Sequence, residues 1–279
     1  MGVAGVRCGA RCLQHLGDAG GVGNVRPATT DPLPLLDLTL RSLGGAGPTR
    51  QMRLDGRTVE DMRIVIAGGH GQIALRLERL LAARGDEVAG IIRRAEQGDD
   101  LREVGAEPVV LDLESASVEE VTALLRGADA AVFAAGAGPG SGAARKDTVD
   151  KAAAVLFADA AARAGVRRFV IVSSMGADAR HEGDEIFDVY LRAKGEADAH
   201  VSGLDALDWT VLRPGALTDD AGNGLVRLEA HTGRGPIPRA DVAAVLAELL
   251  DTPATAGLTL ELISGATPVS VAVKSVAGN

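Results

Sequence analysis

"RIVIAGGHGQIA", residues 63–74, decides the fold, because it joins a short apolar strand to a glycine-rich turn and the start of a helix. Gly69-x-Gly71-x-x-Ala74 follows the dinucleotide-binding fingerprint, and Gly68 with Gly71 satisfies an alternative spacing of it. Glycine tolerates the backbone angles of such a turn and lets the backbone approach a ligand closely. The helix would then offer free N–H groups and its positive dipole end to a pyrophosphate. The stretch therefore predicts a dinucleotide site at the start of an α/β domain.

Short apolar runs alternate with amphipathic stretches along the rest of the chain. The runs cover 63–67, 87–93, 107–112, 129–135, 167–174, 208–213 and 258–264, and helical patterns lie near 71–84, 117–126, 147–164, 188–202 and 239–251. Nearly continuous apolar strands separated by helices indicate a parallel sheet that is covered on both faces. We therefore expect a single doubly wound parallel-sheet domain of the α/β class, a Rossmann fold, over residues 62–279. We interpret 214–238 as a loop that caps the strand ends.

Residues 1–61 differ from the rest, because glycine and proline cluster there without a sustained helical or strand period. We expect a low-complexity, disordered N-terminal extension, and "MRIVIAGG" from Met62 resembles a natural protein start. The only two cysteines, Cys8 and Cys12, lie in this extension without further candidate ligands, so we expect no metal site.

Composition limits the classes of molecule that the protein is expected to bind. The 279-residue chain carries a net charge of −9 and only 2% aromatic residues, which argues against nucleic-acid binding. No apolar run reaches the length of a membrane span, and an acidic body fits a cytoplasmic protein. We expect a small-molecule substrate.

The second strand indicates which dinucleotide is bound. NAD sites place an acidic residue at the end of this strand, whereas here it ends "GIIRR" with Arg93 and Arg94. A guanidinium in that position suits the 2′-phosphate of NADP(H). Asp112, which closes the third strand, could touch the adenine or cap the following turn.

The segment "YLRAK" carries the catalytic candidates. Tyr190, the only tyrosine, and Lys194 stand four residues apart and so share one face of a helix. An ammonium beside a phenol favours the phenolate, which suits acid–base catalysis, and can also hold ribose hydroxyls. Ser173 and Ser174 end the fifth strand, where a hydroxyl could bind a substrate oxygen.

The glycine turn, "VSS", "YLRAK" and "WTVLRPGALTD" together resemble the short-chain dehydrogenase/reductase superfamily. The similarity is greatest to its atypical branch, the NAD(P)-binding proteins related to NmrA and to biliverdin reductase B, and covers residues 62–279. The resemblance implies an NADP(H) site at Gly68, Gly69, Gly71, Gln72, Ile73, Arg93, Arg94, Ala135, Gly136, Pro214 and Gly215. It also implies that Tyr190, Lys194 and Ser174 match the acid–base tyrosine, the lysine and the serine.

One position departs from the family pattern. Full catalytic members carry an asparagine on the helix after the fourth strand, and Asp150 occupies that position here. An acid could still hold a water molecule, or could simply favour the start of the helix. The segment 179–188, with His181, resembles a mobile substrate loop.

Three functions fit these residues. The first is an NADP(H)-dependent oxidoreductase acting on a small carbonyl or alcohol, or an epimerase or dehydratase variant that uses the same residues. The second is an NADP(H)-binding redox-sensing regulator with a protein partner and without turnover. The third is a flavin- or quinone-type reductase.

Overall fold

Strand β1 (Arg63–Ala67) lies at the centre of the fold, with its apolar side chains buried on both faces of a sheet. A computed structural model of the protein describes residues 61–138 and 140–278. Ile64, Val65 and Ile66 are fully buried. Their branched Cβ atoms suit a pleated strand that is covered on both sides.

The remaining elements follow in chain order. The strands are β2 (Glu87–Ile92), β3 (Glu107–Val110), β4 (Ala130–Phe133), β5 (Arg168–Val172), β6 (Asp208–Pro214), β7 (Ala216–Thr218), β8 (Leu225–Glu229), β9 (Pro236–Pro238), β10 (Leu258–Ser264) and β11 (Thr267–Pro268). The helices are α1 (Gln72–Ala83), α2 (Gly98–Glu103), α3 (Val118–Leu125), α4 (Ala143–Arg145), α5 (Ala153–Ala164), α6 (Ile186–Ser202), α7 (Arg239–Leu250) and α8 (Val269–Ala277). A π-helical turn, Lys146–Ala152, joins α4 to α5.

The main sheet has the order β11-β8-β10-β6-β5-β4-β1-β2-β3. The strands from β3 to β10 in this order are parallel, and β8 pairs antiparallel with β10. The predicted α/β fold with a doubly wound parallel sheet is therefore confirmed. The interpretation of 214–238 as a loop is wrong, because this stretch contributes β7, β8 and β9.

Successive strands are added on opposite sides of β1. The chain places β2 on one side of β1 and, after β2 and β3 are complete, returns to place β4 on the other side. Connections on the two sides run away from each other, which opens a crevice at the carboxyl ends of β1 and β4. The glycine turn that follows β1 lies at this crevice.

Two apolar cores cover the two faces of the sheet. Ile64 and Ile66 point into a core shared with α1 and α7, whereas Val65 points into a core shared with α3 and α5. In the second core, the Phe157 ring lies 6.1 Å from Phe133 and 5.9 Å from Phe169 between centroids. The alternating side chains of one strand thus fix helices on both sides of the crevice.

Two sequence predictions concern the N-terminal segment. The expected disorder of residues 1–61, and the expectation for Cys8 and Cys12, lie outside the described residues apart from Asp61. Among the described residues, no helix is both long enough and apolar enough to cross a lipid bilayer.

Glu78 of α1 is a buried acid directly beneath the glycine turn. Its side chain is fully buried, and neither carboxylate oxygen has a hydrogen-bond partner among the described residues. The carboxyl group fits between two glycines, since a Cβ on Gly69 or on Gly90 would lie 2.9 or 2.5 Å from its Oε1. Burial raises the pKa of Glu78 to about 8, because the charged form loses its hydration without gaining a partner.

We expect Glu78 to make the protein less stable as the pH rises from about 4.5 to about 8. In that range the folded state keeps a proton that the unfolded state has lost, so the free energy of unfolding falls by roughly 1 kcal/mol per pH unit. Glu78→Gln should flatten this dependence in urea unfolding between pH 5 and pH 9. Glu103→Gln, at an exposed position of α2, is the matched control. An unchanged slope in Glu78→Gln would contradict the prediction.

Arg168, at the opposite end of the sheet from the crevice, ties the start of β5 to its neighbours. Its guanidinium donates to the carbonyl oxygens of Asp208 and Leu249 and to the hydroxyls of Thr210 and Thr255, at 2.7–2.9 Å. Only 8% of the residue is exposed, and burial lowers its pKa to about 10. The guanidinium thus satisfies polar groups of several buried segments at once.

Replacing Arg168 by Met should destabilise the fold by on the order of 3 kcal/mol, because the buried carbonyl and hydroxyl groups lose their donor. Chemical denaturation measures the loss. The neighbouring Arg167, which pairs with Asp208 at the surface, offers a control, and Arg167→Met should leave the unfolding midpoint nearly unchanged. Equal effects of the two substitutions would refute a special role of Arg168.

Candidate active site

The glycine turn brings β1 and α1 to the floor of the crevice. Gly68 has φ +81°, and a Cβ there would lie 2.6 Å from the Cα of Ala135, which follows β4. Only glycine can hold this conformation at this distance. The amide of Gly71 donates to the carbonyl of Gly68 at 2.8 Å and begins α1. The turn therefore points the N-terminus of α1 into the crevice.

A small pocket of about 220 Å³ lies beside the turn, over the ends of β1, β2, β3 and β4. The residues that line it are Gly68, His70, Gly71, Ile91, Ile92, Arg93, Gln97, Leu111, Asp112, Leu113, Glu114, Ala134, Ala135, Gly136, Arg145, Val149 and Ala153. Arg93 is thus on the pocket wall, as predicted for a nucleotide contact. Arg94 is not; its side chain is 63% exposed and approaches Glu96.

Asp112 caps the turn that follows β3, whereas its contact with the adenine stays a prediction. It lines the small pocket, and its Oδ1 accepts a hydrogen bond from the amide of Glu114 at 3.1 Å. This bond caps the turn that follows β3 and fixes the carboxylate at the pocket edge.

Glu114 and Arg145 are pocket residues that the sequence did not reveal. The carboxylate of Glu114 accepts bonds from Arg145 at 2.7 Å and from Thr148 Oγ1 at 2.6 Å, and the Arg93 guanidinium lies 3.6 Å away. The bonds from Thr148 and Arg145 hold the pKa of Glu114 below its ordinary value. These contacts close the pocket between two chain segments that are far apart in sequence.

A larger cavity of about 820 Å³ continues from the small pocket, and the two share Gly71, Ala134, Ala135 and Gly136. The larger cavity is lined by Gly71, Gln72, Ile73, Ala134, Ala135, Gly136, Ala137, Gly138, Gly140, Ser141, Lys146, Asp150, Val172, Ser173, Glu185, Ile186, Phe187, Tyr190, Lys194, Leu217 and Arg239. The two volumes together follow the carboxyl ends of the strands, as a dinucleotide does in an open α/β sheet. The predicted contacts Gln72, Ile73, Ala135 and Gly136 all lie on this wall.

A buried cluster of three charges forms the inner wall of the larger cavity. The carboxylate of Asp150 is inaccessible to solvent, and its Oδ1 lies 3.3 Å from the ammonium of Lys194. Its Oδ2 lies 3.9 Å from the ammonium of Lys146 and accepts the amide of Ala137 at 3.3 Å. Lys194 also donates to the carbonyl oxygen of Val172 at 3.1 Å. Asp150 therefore holds Lys194 at the end of β5.

The π-helical turn explains how two of these charges face the cavity. Lys146 begins the turn, and Asp150 lies four residues later within it. A π-helical turn is wider than an α-helical turn and is frequent at functional sites. Lys146 is 8% exposed, and sequence reasoning missed it because the local pattern predicts an ordinary helix start.

Tyr190 lines the same cavity, as the sequence predicted. Its ring centroid lies 5.1 Å from the ammonium of Lys146 and 6.0 Å from the ring of Phe187. Lys194 follows one helical turn later on α6 and lines the same cavity. The structure therefore brings Tyr190, Lys194 and Asp150 together.

The two serines at the end of β5 differ in their positions. Ser174 does not line either pocket, and its hydroxyl makes only a 3.4 Å contact with the carbonyl of Met175 among the described residues. Ser173 does line the cavity, but its hydroxyl donates to Asp198 Oδ2 at 2.8 Å. Asp198 is held in turn by Arg213 at 2.9 Å, so this hydroxyl belongs to a buried polar network.

Three other expected residues lie away from the cavity. Pro214 is buried and accepts the amide of Met175 at 3.1 Å, and Gly215 packs against the carbonyl of Gly235. Neither lines a pocket. Pro214 ends β6 and Gly215 joins it to β7, whose Leu217 lines the larger cavity. His181 bonds Asp188 at 2.9 Å and so fixes its loop to the start of α6.

The mouth of the larger cavity is apolar. Six large apolar side chains of the described residues are exposed, and three of them, Ile186, Phe187 and Leu217, line this cavity. Exposed apolar side chains that gather at one opening indicate a binding surface. No metal-binding group of three or more His, Cys, Asp or Glu occurs among the described residues.

These residues fit a bound dinucleotide. The N-terminus of α1 offers amides to a pyrophosphate, the small pocket suits an adenosine, and the larger cavity has space for a nicotinamide and a substrate. Lys194 and Asp150 line the larger cavity, whereas Arg93 lines the small pocket.

Comparisons with known proteins agree with this site. The family model described as NAD(P)H-binding matches residues 68–253. A Bacillus subtilis protein, YhfK, described as an uncharacterized sugar epimerase, is 35% identical over 216 residues, which cover 77% of this chain and 100% of that protein.

Solved structures that are similar to this chain include a proposed epimerase/dehydratase and a reductase. A Bacillus halodurans protein proposed to be an NAD-dependent epimerase/dehydratase is 36% identical with a TM-score of 0.71, covering 77% of this chain and 99% of that one. ChuY from Escherichia coli O157:H7, an anaerobilin reductase, is 25% identical with a TM-score of 0.61, covering 72% of this chain and 97% of that one. The resemblance to atypical short-chain dehydrogenases/reductases is thereby confirmed, and the chain belongs to the NAD(P)H-binding family.

Proposed function

We propose that the protein is an NADP(H)-dependent oxidoreductase that acts on a small carbonyl or alcohol substrate. The observation that carries this proposal is the position of Tyr190 and Lys194 on the wall of the cavity that continues from the glycine turn. A proton donor and an ammonium thus stand where a nicotinamide and a substrate would meet.

The nucleotide is held by three features of the crevice. The amides at the start of α1 would hold the pyrophosphate, Arg93 would bind the 2′-phosphate, and Lys194 would bind the nicotinamide ribose. Arg93 can turn toward a phosphate because its only ion pair among the described residues is a 3.6 Å contact with Glu114. The bound nucleotide supplies or accepts the hydride of the reaction.

Tyr190 gives a proton to the substrate oxygen during reduction and takes it back during oxidation. Lys194 contributes a positive charge to the same wall, and Asp150 keeps its ammonium in place. Asp150 thus stands in place of the family's asparagine, and its carboxylate anchors Lys194 directly. Ser174 is given no role, because its hydroxyl does not face the cavity.

A second candidate is a reductase of flat ring compounds such as quinones or flavins. The apolar mouth formed by Ile186, Phe187 and Leu217 favours it, because such side chains suit a ring better than a sugar. The description of YhfK as an uncharacterized sugar epimerase favours a sugar substrate instead. Both reactions would use the same Tyr190 and Lys194.

The first test measures nucleotide preference by titration with NADPH and NADH, followed by nicotinamide fluorescence. NADPH should bind more tightly, and Arg93→Gln should weaken NADPH binding by about tenfold while leaving NADH nearly unchanged, because it removes a charge-assisted contact to the 2′-phosphate. Arg94→Gln is the matched control and should have a smaller effect, since Arg94 points away from the pocket. Equal affinity of the wild type for both nucleotides would remove the role given to Arg93.

The second test is an NADPH-oxidation screen with carbonyls, quinones and flavins, comparing the wild type with Tyr190→Phe. Loss of the hydroxyl should lower kcat by about a hundredfold or more without changing NADPH affinity, because only the proton transfer is lost. Full activity in Tyr190→Phe would exclude Tyr190 from the mechanism. Tight NADPH binding with no oxidation of any compound would favour a redox-sensing regulator.

A further inference from the structure

The larger cavity has no serine hydroxyl available for a substrate oxygen. Ser173 donates its hydroxyl to Asp198, Ser141 donates its hydroxyl to the carbonyl of Gly138 at 2.9 Å, and Ser174 is not among the lining residues. A reaction at a carbonyl or alcohol carbon nevertheless needs a donor that faces the oxygen on which negative charge develops. Tyr190 is assigned the proton transfer, and a second donor on the wall would hold this oxygen in place.

Lys146 is placed to supply this donor. Its ammonium lines the cavity and lies 5.1 Å from the centroid of the Tyr190 ring. An ammonium has three N–H donors, and among the described residues Lys146 uses one of them, in a 3.2 Å bond to the carbonyl of Gly138. The nearest carboxylate oxygen, on Asp150, is 3.9 Å away, which is beyond hydrogen-bond distance.

The two lysines of the cluster differ in what they can still bind. The ammonium of Lys194 lies between the carbonyl of Val172 and the carboxylate of Asp150, at 3.1 and 3.3 Å. Lys146 has the weaker attachment to Asp150, at 3.9 Å, and its ammonium lies over the Tyr190 ring. Lys194 is therefore the more firmly held ammonium, whose remaining donors the proposed function assigns to the ribose, and Lys146 keeps donors for the substrate.

We propose that Lys146 binds the substrate oxygen, and that the cavity selects apolar ring compounds whose oxygen is an anion or gains negative charge during the reaction. The proposal deepens the proposed function and rests on it for the identity of the cavity. Ile186, Phe187 and Leu217 would cover the ring, while the ammonium of Lys146 would hold its oxygen beside Tyr190. A carbonyl conjugated to a ring, or a phenol, has this chemistry.

Binding of 4-nitrophenol tests the proposal without turnover. Its anion is yellow and its neutral form is nearly colourless, so absorbance reports which form is bound. The wild type, titrated with and without NADP⁺, should bind the anion in preference to the neutral form. Lys146→Met should weaken anion binding by at least tenfold, because a charge-assisted hydrogen bond is lost. Nitrobenzene, which has the ring but no ionisable oxygen, should bind equally well to both proteins.

Lys151 provides the matched control, since it lies on the same π-helical turn but pairs with Glu196 outside the cavity lining. Lys151→Met should leave anion binding unchanged. The proposal is overturned if Lys146→Met binds the anion as tightly as the wild type, if Lys151→Met loses as much affinity, or if the wild type does not prefer the anion. Thermal unfolding of each variant shows whether the fold is retained, and Lys146→Arg, which restores a cation, should recover anion binding.

The same titrations separate this proposal from the proposed function. Failure to bind NADPH or NADP⁺ would contradict the proposed function, whereas the anion preference of Lys146 is measured with the nucleotide absent as well as present. Normal nucleotide binding without anion preference would contradict only the role of Lys146.

Discussion

The buried carboxylate of Asp150 is the constraint on which the candidate site depends. A carboxylate without solvent contact is stable only when cations and hydrogen-bond donors surround it. Asp150 meets this requirement with the ammonium groups of Lys194 and Lys146 and with the amide of Ala137. One acid therefore links the loop after β4, the π-helical turn and α6, and it holds Lys194 more closely than Lys146.

The sheet provides the setting for this cluster. Its strands are apolar on both faces, so helices cover both sides and the polar residues can gather only at the strand ends. The reversal of strand order at β1 opens the crevice at one of these ends, and the close approach of Gly68 to Ala135 keeps its floor narrow. At the opposite end, Arg168 hydrogen-bonds the carbonyl oxygens of Asp208 and Leu249. One end of the sheet therefore stabilises the fold, and the other carries the candidate site.

Sequence patterns identified the parallel strands closely, because each is a run of buried apolar residues between amphipathic helices. The expected strand 63–67 and the observed β1 have the same bounds, and β10 likewise spans the expected 258–264. Strand β8 was missed, because it is short, lies among glycines and alternates buried with exposed residues in a pattern too brief to recognise. It becomes a strand through its antiparallel pairing with β10, which is a contact between distant residues.

The sequence by itself determined the glycine turn, the pair of Tyr190 and Lys194, and the family, since these depend on residue types at fixed local spacing. The tertiary structure, and not the local sequence, places Arg93 but not Arg94 on the wall of the small pocket, directs the Ser173 hydroxyl to Asp198, and brings Lys146 within 3.9 Å of Asp150. The physical reason is that a side chain's partner is set by burial and by the packing of distant elements. The π-helical turn is the clearest case, because it changes which side chains of one helix face the cavity and leaves no local signal in the sequence.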